Sequence, residues 1–233
     1  MGMQGSVWPF LEVDEAVPLV REYFGVDEAP GVSPTFSGAW FERLGDGGDA
    51  DDIADVFTAT DVVAVEMLSV SVPSRAMISL LETDSEGFNE LLVQVGVWDG
   101  TPDGVALHTH AGRGALASGG AAWQLWKRLR SLHGVGPVTA GKLMARKRPH
   151  LVPIFDRVVE AALIPDAGSF WAAMVGVFED DEVVGRLGEI RDRAEIGWTV
   201  SLPRILDVAV WMRNQGILTV DASSRTIKPI LPN

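Results

Sequence analysis

The segment LHGVGPVTAGKL at residues 132–143 restricts most tightly the folds open to this chain of 233 residues. Ahead of it, Ala122, Leu125, Trp126 and Leu129 recur at i, i+3, i+4 and i+7, the apolar face of a helix that runs up to Leu132. Gly134 and Gly136 admit backbone angles closed to other residues. Pro137 suits the first turn of a new helix, where its missing N–H costs nothing. Ala140, Leu143 and Met144 give that second helix a buried stripe, with Lys142, Arg146, Lys147 and Arg148 expected on its polar side. The spacing thus predicts two helices joined by a glycine hairpin. Such a hairpin turns unpaired N–H groups outward at the positive end of a helix dipole, where a phosphate oxygen is a natural ligand. The expected phosphate contacts are Gly134, Val135, Gly136, Val138 and Thr139, joined by Lys142, Arg146, Lys147 and Arg148. A plain packing turn uses the same glycines.

Charge is distributed in keeping with a phosphate site. The net charge is −13, which by itself opposes nucleic acid, because affinity for DNA comes mainly from cations that displace counterions. Between Gly104 and Phe155, however, there is no Asp or Glu, while Arg113, Lys127, Arg128, Arg130, Lys142, Arg146, Lys147 and Arg148 contribute +8 and leave −21 elsewhere. A solvated helix face gives the same clustering.

The pattern L-x-G-V-G-x-x-T-A, with Asp156 twenty positions after its second glycine, resembles the helix-hairpin-helix DNA glycosylases, the superfamily of endonuclease III. Val152 and Pro153, just ahead of Ile154, Phe155 and Asp156, look like the eight-oxoguanine glycosylase branch. The resemblance covers about residues 122–163. Outside it, the Phe36, Ser37, Gly38 and Val70, Ser71, Val72, Pro73 segments look like a bacterial domain family without assigned function. The resemblance implies a mostly α, two-lobed fold: residues 104–164 form the lobe with the hairpin and Asp156, and residues 1–103 and 165–233 form the other from both chain ends. It implies double-stranded DNA as partner, Asp156 as the catalytic carboxylate and a base flipped into a pocket. Family members that also cut the strand carry a lysine two positions after the second glycine; this chain has Val138, so the resemblance implies base excision without lyase activity. Asp156 ahead of Arg157, Val158 and Val159 is also a good helix N-cap, a reading that stands beside the catalytic one.

The absence of cysteine excludes disulfides, zinc–thiolate sites and the iron–sulfur cluster of many such enzymes, so no cofactor is expected beyond a monovalent cation that the hairpin main chain could hold. No apolar run approaches the roughly 20 residues of a membrane span, which predicts a cytoplasmic protein with no membrane partner; a monomer is expected. The acidic loop 46–55 lacks calcium-loop spacing and is expected to be exposed, and His108 and His110 are expected at the surface or in packing. Residues 31–48 read as a loop anchored by Phe36, Trp40 and Phe41; Thr60 or Asp61 and Ser74 read as caps of core helices. Residues 91–97 fit a short strand or a helix end, and residues 217–231 a small terminal β-hairpin. Three functions remain open: a base-excision enzyme acting in repair or in defence against modified viral DNA, a non-catalytic hairpin module, and a regulatory or interaction protein on the same fold.

Overall fold

The computed structural model describes residues 7–29, 31–164 and 169–214. The first of the two hairpin helices, α6 (Ala121–Ser131), buries Ala122, Leu125 and Leu129, as the period requires. Each leucine removed from water contributes about 2 kcal/mol. Gly134 takes the left-handed backbone at φ 79°, and a Cβ there would lie 2.8 Å from Pro73 Cγ, so only glycine lets the hairpin pass this proline. Gly136 is the extended N-cap of α7 (Pro137–Lys147), with Pro137 at its first position.

The remaining helices are α1 (Val13–Phe24), α2 (Ala59–Glu66), α3 (Ser74–Ile78) running into a π turn (Ser79–Thr83), α4 (Ser85–Val95), α5 (His110–Leu116), α8 (Arg157–Leu163), α9 (Phe170–Phe178), α10 (Asp181–Arg193) and α11 (Leu202–Asn214). The protein is mostly helical, with no strand among the described residues. Residues 91–95 accordingly belong to the end of α4, and Trp98 to Gly104 form turns in which Asp99 Oδ1 accepts from Thr101 N at 3.0 Å. The β-hairpin expected over 217–231 lies outside the described residues.

Caps explain where several helices begin and end. α1 stops at Gly25, left-handed at φ 64°. α2 is capped by Thr58 and not by Thr60 or Asp61: Asp61 N donates to the Thr58 hydroxyl while Thr58 N donates to Asp61 Oδ2, a reciprocal capping box. Ser74 is the first residue of α3, whose N-cap is Pro73. Ser201 Oγ accepts from Arg204 N at the start of α11.

Nearly all buried apolar side chains among the described residues form one connected core. α11 packs on α1, α8 and α10, while α7 lies between α2 and α6 and α4 packs on α6. Among the described residues no helix is long and apolar enough to cross a membrane.

This packing buries α7 on every side: all residues from Thr139 to Lys147 are inside. Arg146, Lys147 and Arg148, expected on the polar side of α7 as phosphate contacts, are thus not solvated. Instead they tie down the chain from Phe41 to Asp55 and Asp61, so the acidic loop is held to the core at its far end while Asp46, Asp51 and Asp52 stay exposed. Arg146 Nε meets Asp61 Oδ1 at 3.1 Å, and its two terminal nitrogens donate to the carbonyls of Phe41 and Leu44. Lys147 Nζ bonds Ile53 O at 2.7 Å and Asp61 Oδ2 at 3.2 Å. Arg148 pairs with Asp55 and donates to Ala54 O at 2.7 Å and Leu92 O at 2.6 Å. A loop without a ladder of its own leaves carbonyls that need donors, and long cationic side chains from a buried helix supply them. Phe41 is buried and Phe36 half-buried, but Trp40 is exposed, with Arg43 over its ring at 5.0 Å.

Candidate active site

The hairpin keeps the access that phosphate binding needs. Gly134 and Pro137 are exposed, Gly136 and Val138 half-buried, and Val135 and Thr139 turn their side chains inward, so only main-chain groups of these two can serve a ligand. The start of α7 has no side-chain cap, and a Cβ on Gly136 would meet nothing within 4 Å. Of the eight cations in the acid-free segment, four are buried. Arg128 pairs with Asp84 at 2.7 Å and Arg113 lies 3.8 Å from Glu179, which leaves Lys127 and Arg130 exposed without an acidic partner among the described residues. Arg130 lies over the Trp126 ring, 5.0 Å from its centre.

Lys142, expected on the polar side of α7, is buried. Six residues along α7 from Gly136, about 9 Å at 1.5 Å per residue, it enters the wall of a cavity of about 390 Å³. Asp156 lines the same cavity, as do Phe36, Leu68, Asp207 and Trp211. α1, the loop at 35–38, the end of α2, α7, the start of α8 and α11 all contribute to its wall. The volume falls in the range of about 300–1,000 Å³ usual for small-ligand sites.

Asp156 is both a helix cap and a part of the cavity wall. As N-cap of α8 it accepts from Val158 N through Oδ1 at 2.8 Å, and the residue lines the cavity. The cap fixes the group that a reaction would use, since a carboxylate tethered through one oxygen offers the other in a defined direction. Lys142 Nζ donates to Leu68 O at 2.7 Å. Burial lowers its pKa, while Asp156 and Asp207 work to keep it charged.

Behind this pair lies a buried polar cluster that sequence reasoning missed. Arg204 donates to Tyr23 Oη at 2.6 Å, to Gly38 O at 3.0 Å and to Asp207, and its Nε stands 2.7 Å from Glu42 Oε1 as an ion pair without hydrogen-bond direction. Burial works against the Arg204 charge, but Glu42, Tyr23 and Asp207 outweigh it and raise its pKa. Burial also pushes the Asp207 carboxyl up to about 6, against the pull of Arg204. Gly38 explains itself here: a Cβ would sit 2.1 Å from Tyr23 Oη, so a side chain would break the contact that holds Arg204. Phe36 stacks on Tyr23 with centroids 5.3 Å apart and meets Trp211 edge-on at 5.6 Å, an aromatic wall suited to a planar ligand. The available signal was Arg204 and Asp207 breaking the apolar stripe of α11 at a spacing of three.

His108 packs edge-on against Trp98, and Thr109 caps α5; among the described residues no group of His, Asp or Glu is arranged to hold a metal. Comparison with curated proteins finds no match, and neither does comparison with solved structures. A family model does match, over residues 16–214, and this span includes the aromatic wall, the glycine hairpin, Lys142, Asp156 and the polar pair of α11. The chain therefore belongs to a family of unknown function (DUF6308).

Proposed function

We propose that the protein is a DNA glycosylase, hydrolysing the bond between the sugar and a damaged, mispaired or modified base flipped out of duplex DNA. One observation carries this reading: Asp156, the carboxylate that the glycosylase-like motif singles out, lines a ligand-sized cavity with aromatic walls, one helix away from an exposed glycine hairpin. Loss of the base builds positive charge on the sugar ring, as in glycoside hydrolysis, and a fixed carboxylate beside that carbon lowers the barrier and orients the attacking water. A base inside a duplex is out of reach of any such group, so it must rotate into the cavity, where Phe36 and Trp211 offer stacking surface. The hairpin main chain, with Lys127 and Arg130 nearby on α6, would hold the phosphates. Val138 provides no amine at the position where strand-cutting relatives of the motif carry lysine, which favours an intact abasic product. The setting would be cytoplasmic DNA, in base-excision repair or in defence against modified viral DNA.

Burial of the basic run favours a second reading, a regulatory or interaction protein on the same fold, because it removes three cations from the surface. One assay separates the two. Duplexes carrying uracil, hypoxanthine, 8-oxoguanine, 7-methylguanine or 5-hydroxymethyluracil are incubated with the protein and scored for alkali-labile abasic sites. The glycosylase reading requires release from at least one of them. No release and no salt-dependent DNA binding would support the interaction protein.

A further inference from the structure

We propose that Lys142 is the proton donor to the departing base and that the cavity accordingly takes electrically neutral bases, not cationic alkylated ones. The inference rests on the glycosylase reading and adds a substrate class and a second catalytic residue to it. A neutral base leaves with the electron pair of the broken glycosidic bond and needs a proton or a strong donor, whereas a base already carrying a positive charge needs neither.

Three observations point to Lys142. It is 95 % buried yet lines the same cavity as Asp156. Its ammonium has three protons, and the bond to Leu68 O, itself part of the wall, fixes the nitrogen there with donors to spare for a ligand. It is also unlike the other buried cations of α7, since Arg146, Lys147 and Arg148 are spent on Asp61, Asp55 and main-chain carbonyls, while no ion pair takes up Lys142 among the described residues. Burial makes this ammonium a stronger acid than an exposed lysine, and Asp156 and Asp207 supply the negative potential that keeps it protonated until the base leaves. A fixed positive charge in the wall also opposes entry of a cationic base.

The bond from the sugar carbon to the base nitrogen breaks and its electron pair goes to the base, which takes a proton from Lys142 Nζ. Water adds its oxygen to the sugar carbon and gives its proton to the Asp156 carboxylate. Proton exchange with solvent then restores the ammonium and the carboxylate. Lys142 forms no bond to carbon, so the strand stays whole.

The test measures single-turnover release from the same duplex panel by the wild type, Lys142→Gln and Lys142→Arg, with thermal melts to verify folding. The wild type should release a neutral base in preference to 7-methylguanine. Lys142→Gln should lower neutral-base release about 10²-fold or more and lower 7-methylguanine release far less, so that the ratio of the two shifts towards the cationic base. Lys142→Arg keeps the charge but cannot give up a proton at neutral pH, so it should fold and still lose neutral-base release; it decides the matter if the glutamine variant does not fold. Equal loss on neutral and cationic bases, full activity of both variants, or a borohydride-trapped adduct on Lys142 would overturn the assignment and leave the glycosylase reading standing. No release of any base by the folded wild type would overturn both.

Discussion

Replacing Asp61 by Asn should unfold this protein far more readily than any surface change. The Asp61 carboxylate is fully buried and is the acidic partner of two buried cations, Arg146 and Lys147, at 3.1 and 3.2 Å. Asparagine keeps the shape and part of the Thr58 capping box but removes the charge. Breaking a buried pair by neutralising one side costs about 3–5 kcal/mol, because the remaining charge stays in a poorly polarisable interior. Here two such charges remain, although their carbonyl partners at Phe41, Leu44 and Ile53 soften the loss, so about 4 kcal/mol is expected. Against a total stability of about 5–15 kcal/mol that is a large share. With a urea m-value of about 2.5 kcal/mol/M, the midpoint should fall by roughly 1.6 M. Lys127→Ala, an exposed change on α6, should move it by less than about 0.2 M, corresponding to 0.5 kcal/mol or less. A midpoint shift below about 0.3 M for Asp61→Asn would refute the claim that the basic run is structural and would return Arg146 and Lys147 to the list of groups available for DNA.

Two further outcomes follow from named groups. His150 is buried and held neutral, its pKa lowered to about 4 by desolvation with Arg191 and His108 adding to it, so the unfolded chain takes up a proton that the folded chain refuses. Stability from this group is complete above about pH 6.5 and drains as pH falls towards 4, by about 3 kcal/mol, and urea melts of His150→Gln against wild type across that window should show the difference. Asp207, raised to about 6, acts in the opposite sense over the same range, which is why the variant and not the bare pH profile is the readout. For DNA, Lys127→Ala with Arg130→Ala should lower the slope of log binding constant against log salt by about 1.8, at about 0.9 per phosphate contact, and an unchanged slope would show that the phosphates lie elsewhere.

The sequence was most informative where local rules decide structure. The apolar period of α6, the glycines of the hairpin, Pro137 at N1 and the end of α1 at Gly25 are set within a few residues, and the chain folds there as its pattern says. The fate of the charges of α7 depended on what packs against it. Arg146, Lys147 and Arg148 look solvated in isolation, and only the return of loop 41–55, about a hundred residues earlier in the chain, buries them. Lys142 was misplaced for the same reason, since α11 and the end of α2 close the cavity around it. Asp156 was found because it sits in a motif, whereas Arg204 and Asp207 sit in none and declare themselves only through their partners Glu42, Tyr23 and Gly38. The capping box at Thr58 lay within reach of sequence reasoning: a threonine followed three residues later by an acid that reaches back is a local signature, and here Asp61 is that acid and not the cap.

The central claim is that the carboxylate of Asp156 opposes the charge that develops on the sugar, and Asp156→Asn tests it most directly. Asparagine caps helices as well as aspartate does, so α8 should persist and the melting temperature should change little. Single-turnover release of whichever base the wild type excises should fall by about two orders of magnitude or more, while the dissociation constant for the same duplex stays within a few-fold. A folded Asp156→Asn protein that binds DNA and releases the base at the wild-type rate would contradict the account and leave Asp156 as a helix cap only.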